Sequence, residues 1–223
     1  MADPEILLPL LLLGTWAGVD GVSAGQFLIS RPLVSGTLAG WCTGTPAEGL
    51  MLGALLEGYH LADLPVGGAR LPEPGPAAGP AVLLAARLGG PGGLALGVAL
   101  GVLGSLAGGA TVRGQRRLNS WIMRLPENGR LPGPALSRRH WSCVGADALR
   151  SLLLTGCGLA VALAVPHGLA ARWPLREATT WMLLAAPALL VGGNLLRRWH
   201  RVPSAGALLI AGALAGILLG LVR

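Results

Sequence analysis

Lysine is absent from this chain, and all 17 basic residues are arginine. Aromatic side chains other than tryptophan are almost missing, with one Phe and one Tyr in 223 residues. Charged residues make up only 12%, about half of the ~25% typical of a soluble domain. That deficit excludes an ordinary water-soluble fold of this length. Cys42, Cys143 and Cys157 form no CxxC or other ligand spacing, and an odd count argues against a disulfide framework or a metal site. There is no HExxH, Walker loop or Ser-His-Asp order, so catalysis by this chain alone is not expected. The formal charge of +7 raises nucleic acid as a partner, but a basic patch needs an exposed soluble face that is missing here.

What is present is Leu, Ala, Gly and Val, 52% hydrophobic residues and a mean hydropathy of +0.62. Small residues in this abundance let helices approach closely in lipid. The N-terminus (Met1, Ala2, Asp3, Pro4, Glu5) carries acid where a signal peptide carries base, so the first apolar run is expected to be retained.

Apolar stretches fall near 6–24, 33–44, 47–62, 77–88, 93–112, 142–165, 178–196 and 203–222. Full spans need ~20 apolar residues, which the runs at 93–112, 142–165, 178–196 and 203–222 supply. Those at 33–44, 47–62 and 77–88 are short and broken by Gly or Pro. At membrane depth such segments are tolerated only inside protein or beside a cavity. The pattern predicts an all-α, polytopic transmembrane helix bundle, and which short segments re-enter the membrane is left open. Residues 1–112 form an N-terminal part with broken helices, 113–139 a basic cytoplasmic loop, and 140–223 the C-terminal membrane helices.

Arginine bias sets the orientation. Arg113, Arg116, Arg117, Arg124, Arg130, Arg138 and Arg139 face only Glu127 in the central loop, which is expected inside. Counting forward puts Arg172 and Arg176 outside, Arg197, Arg198 and Arg201 inside, and Arg223 outside. Trp121, Trp141, Trp173 and Trp199 lie at expected interfaces. Residues 114–125 allow a short amphipathic surface helix, although a solvated loop is the simpler reading.

Glycines recur at four-residue spacing: Gly36, Gly40 and Gly44; Gly49 and Gly53; Gly93, Gly97 and Gly101; Gly212, Gly216 and Gly220. Each row predicts a flat groove for a neighbouring helix. The second row continues into Glu57, a carboxylate that needs a partner or water at membrane depth. Asp20, Gln26 and Arg31 are the other polar candidates nearby, and His60 shares the face of Glu57. Carboxylates and amides in a mostly apolar cavity suit a hydroxyl-rich ligand. Ion pairs of Arg31 with Asp20 or Glu57 would instead serve the fold, and Arg31 before Pro32 also fits a snorkelling residue at a helix start. Asp147 and Arg150 are placed at a helix start, where a local pair is expected.

The stretch Gln26-Phe27-Leu28-Ile29-Ser30-Arg31-Pro32-Leu33-Val34-Ser35-Gly36-Thr37-Leu38-Ala39-Gly40 resembles the RPLV-x-G-x-x-x-G block of mannose/fructose/sorbose-type IIC subunits of the phosphotransferase system. Gly49-Leu50-Met51-Leu52-Gly53-Ala54-Leu55-Leu56-Glu57 is similar to the family's TGLIIGATLE block. Pro65-Val66-Gly67-Gly68-Ala69 with Pro72-Glu73-Pro74 resembles its IGGA…PPD segment, and Asn128-Gly129-Arg130-Leu131 is a weaker echo. The resemblance implies a sugar-permease subunit in a bacterial inner membrane, beside a IID membrane subunit within an oligomer. Cytoplasmic IIA and IIB proteins would supply the phosphoryl group, and no cofactor, metal or nucleic acid is implied. It places Gln26, Arg31 and Glu57 nearest the sugar path, with Asp20 and His60 as further candidates. Where the family usually has Gly-Asp, this chain has Gly44-Thr45. That lost acid is the reason to carry a second reading, a divergent subunit that senses or regulates without transporting.

Overall fold

The computed structural model describes residues 3–62, 71–126, 129, 132–199, 204, 207, 210–211 and 214. Among them are eight helices and no strand: α1 (Pro4–Val22), α2 (Pro32–Thr43), α3 (Pro46–His60), α4 (Pro74–Leu88), α5 (Gly90–Ile122), α6 (Gly133–Ala164), α7 (His167–Ala171) and α8 (Glu177–Trp199). Most of the expected 203–222 span, with its glycine row Gly212, Gly216 and Gly220, and His200, Arg201 and Arg223 lie outside the described residues. So do Pro65–Ala69, Glu127, Asn128, Arg130 and Leu131, and the side chains of Arg197, Arg198 and Trp199.

Prolines start the first four helices. Pro4, Pro32, Pro46 and Pro74 each occupy the first helical position, where a missing N–H costs no hydrogen bond. Gly44 and Gly89 stop α2 and α4 at φ of 75° and 67°, which a side chain would resist. Helices α1, α5 and α6 are long and apolar enough to cross a membrane, so the chain is a multi-pass membrane protein. By contrast α2 and α3, with 12 and 15 residues, rise only ~18 and ~22 Å. Neither reaches across ~30 Å of hydrocarbon, and the two form an antiparallel hairpin.

Helix α4 is the axis of the bundle. Its residues from Gly75 to Ala85 are buried without interruption, packed by α1, α2, α3, α5 and α6. Its early turns are almost entirely Gly, Ala and Pro, which lets five neighbours come close. Gly36, Gly40, Gly49 and Gly53, and Gly93, Gly97 and Gly101, lie on packing faces, whereas Gly44 of the first row has open space around it. In the α2–α3 hairpin, a Cβ on Gly36 would lie 2.8 Å from Gly53 Cα, and one on Gly49 would lie 2.6 Å from Gly40 Cα. Gly93 and Gly97 press on the Ala85 and Ala81 carbonyls of α4, and Gly101 meets Leu56 of α3.

The basic segment is mostly helix. Helix α5 runs on to Ile122 and α6 already begins at Gly133, and between them the Gly129 amide donates to the Pro126 carbonyl at 2.9 Å. Residues 114–122 of the 114–125 stretch are thus the end of a long helix rather than a separate surface helix, and 123–125 follow its C-terminus. At 33 residues α5 spans ~50 Å, more than a bilayer core, so its arginine-rich end projects beyond it together with the start of α6. Asp147 and Arg150 correspondingly sit in the body of α6, not at its start.

The glycine contact gives a direct expectation. Gly49→Leu should lower the thermal unfolding midpoint in detergent, at a cost of ~1–3 kcal/mol or more. Gly145→Leu, at a position with open space around it, should leave the midpoint unchanged. Equal effects of the two would contradict a backbone-to-backbone hairpin.

Candidate functional site

Between α1 and α2 the chain makes a tight loop with unusual backbone angles. Gln26 and Leu28 adopt φ of 59° and 66° beside Gly25 at 105°. For non-glycine residues such angles are costly and need support from their surroundings. Asp20 supplies it: its carboxylate is buried and accepts the backbone N–H of Phe27 at 2.5 Å and of Ser30 at 3.0 Å. This loop staple is a third arrangement, different from the ligand contact and the Arg31 ion pair considered for Asp20 in the sequence. Gln26 lies exposed on this loop.

The loop delivers Arg31 to the start of α2. Its guanidinium donates to Glu57 at 3.1 Å, and the other Glu57 oxygen is 3.4 Å from the Leu33 amide nitrogen. Glu57 thus faces the positive N-terminal end of α2 from across the hairpin. The Arg31 side chain is 54% exposed and that of Glu57 19%, so the pair adds only ~0–1 kcal/mol of stability. One turn further along α3, His60 Nε2 lies 3.2 Å from Ser105 Oγ of α5.

These groups border a cavity of about 330 Å³ between the α1–α2 loop, α3, the start of α4 and α5. That volume is at the small end for ligand pockets. Arg31, His60, Ser30, Glu73, Arg113 and Arg116 are its polar lining. Of the five residues singled out in the sequence, Arg31 and His60 line it, and Glu57 reaches it through Arg31. Asp20 braces its rim from below, and Gln26 is not part of the lining. Ser105 stands ~22 Å along α5 from Gly90 and Arg116 ~39 Å, so the His60 end of the cavity lies nearer the apolar part of α5 and the Arg116 end nearer its arginine-rich end.

A second charged group was not foreseen as a unit. Arg150 donates to both carboxylate oxygens of Glu73, at 2.5 and 2.7 Å, and to Asp147 at 2.8 Å. Ser23 donates to Asp147, and Thr111 Oγ1 accepts from Arg150 at 3.0 Å. Asp147 is fully buried, and Glu73 nearly so. The i,i+3 spacing announced the Asp147–Arg150 pair, but nothing local links either to Glu73, 77 residues away. Among the described residues no group of three His, Cys, Asp or Glu side chains is arranged to hold a metal ion. Arg150→Gln should cost ~3–5 kcal/mol in unfolding measurements, because two buried carboxylates lose their cation. A loss within the ~0–1 kcal/mol of a surface pair would contradict the fork.

Comparison with known proteins places the chain. The sequence profile described as "PTS system sorbose-specific iic component" matches residues 7–130, more than half of the chain. No curated protein sequence matches it. A solved structure described only as "Structure of membrane protein" is similar, with TM-score 0.68 at 17% identity, covering 100% of this chain and 93% of that one. That likeness extends to the fold alone. A cryo-EM structure of the mannose transporter ManYZ in complex with microcin E492 gives TM-score 0.48 at 19% identity, covering 99% and 92%. The profile match spans the Gln26–Gly40 and Gly49–Glu57 blocks that carry the resemblance in sequence, and with it the all-α membrane bundle acquires a family. The chain belongs to the sorbose-specific IIC components of the phosphotransferase system.

Proposed function

We propose that this chain is the membrane permease subunit of a mannose-type, phosphoenolpyruvate-dependent phosphotransferase system, and that it passes a hexose-like sugar through the cavity between the α2–α3 hairpin and α4–α5. The observation that carries the reading is a cavity lined by polar side chains inside a helix bundle of this family. Arg31 with Glu57, and His60 with Ser105, offer paired donors and acceptors of the kind that sugar hydroxyls exchange with. The chain itself performs no phosphoryl transfer. IIA and IIB proteins supply the phosphoryl group from the cytoplasm, and a IID subunit completes the membrane complex. The projecting arginine-rich end of α5 and α6 faces the cytoplasm of a bacterial cell by the positive-inside rule, and the cavity opens toward that end.

The regulatory alternative drew on Thr45 in place of the family's acid. Thr45 caps α3 at the tip of the hairpin, its hydroxyl 2.9 Å from Thr43 Oγ1, and it does not line the cavity. Its substitution therefore gives that alternative no support at the proposed sugar path.

The test is sugar uptake driven by phosphoenolpyruvate in vesicles holding this chain with and without its IID candidate and with IIA and IIB supplied. Uptake should require both membrane chains, and Glu57→Gln should reduce it to background while membrane insertion stays intact. The half-exposed pair contributes too little stability for unfolding to explain such a loss. Unchanged uptake in Glu57→Gln removes that residue from the path. No uptake of any sugar by a correctly inserted complex contradicts the permease reading.

A further inference from the structure

Two arginines at the cavity mouth exceed what an uncharged sugar requires. Gly109, Val112, Arg113 and Arg116 all line the cavity from α5. Their spacing of three, four and seven residues puts them on one helix face, so both guanidinium groups belong to the face turned toward the cavity. Arg117, next in the chain, is not part of the lining.

The charges around the cavity do not cancel. Arg31 is paired with Glu57, and Glu73 with Arg150. Asp147 shares Arg150 and is fully buried, with a Ser23 hydroxyl as its other partner. Among the described residues neither Arg113 nor Arg116 has a carboxylate within salt-bridge distance. Among the described residues two cations one turn apart therefore stand without a carboxylate partner at the outer rim, above a floor of sugar-compatible groups. A partly enclosed rim of one sign concentrates counter-charge.

We infer that the mouth of the cavity binds the phosphate group of a phosphate ester, with Arg113 and Arg116 as its cationic contacts and the sugar portion directed toward Arg31 and His60. A phosphate monoester carries roughly −1.5 to −2 charge at neutral pH and three acceptor oxygens, a match for two guanidinium forks. The inference rests on the permease reading and gives it a direction. The site holds the phosphorylated form of the sugar at the face where phosphorylation takes place. A lipid headgroup carries the same phosphate chemistry, so the test separates the two sources.

The experiment is equilibrium binding to the full chain together with its IID candidate in phosphatidylcholine nanodiscs, using mannose, fructose, sorbose, their phosphate esters and inorganic phosphate. At least one ester should bind about tenfold or more tighter than its parent sugar. The double variant R113Q/R116Q should remove that gain, so that ester and parent sugar bind the variant with equal affinity. Both side chains are exposed, so the variant should fold, and R172Q at the opposite end should behave as wild type. Ester affinity equal to that of the parent sugar, or unaffected in the double variant, overturns the phosphate site and leaves the permease reading standing. Ester binding through Arg113 and Arg116 without binding of any parent sugar keeps the site and counts against the permease. Binding of neither by folded protein overturns both. Repeating the titration with phosphatidylglycerol in the disc should leave ester affinity unchanged; competition by that lipid makes a headgroup the occupant and overturns the assignment.

Discussion

Arg150 reaches from the body of α6 to both oxygens of Glu73, and this fork fixes the place where α4 begins. A half-length helix that starts inside a membrane has backbone groups at its end with no water to meet them. Here the Glu73 amide donates to the Ser105 carbonyl of α5 at 2.8 Å while its carboxylate is held by α6. At the other end of the bundle, Arg87 of α4 donates to the Ala162 and Val165 carbonyls at 2.7 and 2.9 Å, closing the end of α6. One short helix is thereby anchored at both ends to a long one. The rest of the molecule is packed around it.

The anchoring leaves room beside it. Because the α2–α3 hairpin is tied glycine to glycine, its two helices lie closer than side chains would allow, and both end well short of a full span. The volume they leave toward the arginine-rich end is bounded by the stapled α1–α2 loop and the α5 face. The same features that save space in the hairpin therefore make the cavity. Away from its mouth, Arg31 stands beside Glu57 and Glu73 beside Arg150, which lets charge stay inside the bundle at a bearable cost. Such pairs also hold acceptors and donors in fixed places for a hydroxylated ligand.

Much of the fold was legible in the sequence because its signals are local. Glycine rows and short apolar runs each act within one or two turns, and α2, α3, α4 and α5 follow them. The basic segment misled for the same reason: its arginines and loop-forming residues read as loop, while the helical state of 113–122 and 133–139 follows from two long helices continuing past the bilayer. The Arg31–Glu57 pair was foreseen as one alternative, since a buried acid must find a partner and few were available. The Glu73–Arg150 fork was not, because it joins residues far apart in the chain and no periodicity connects them. The role of Asp20 became clear only from the loop it braces, where the positive φ angles of Gln26 and Leu28 leave no trace in the sequence.

The central claim is that the cavity beneath the arginine-rich end is the route of a sugar. Ser30 lines that cavity, and Ser30→Cys in a background with Cys42, Cys143 and Cys157 replaced by alanine gives a single reporter. Its rate of reaction with a membrane-impermeant maleimide is to be compared in inside-out and right-side-out vesicles, with and without candidate sugars. The expected result is labelling from the face that carries the α5–α6 turn, slowed by a sugar that the complex takes up. Labelling that no sugar changes, or that occurs only from the opposite face, would contradict the account.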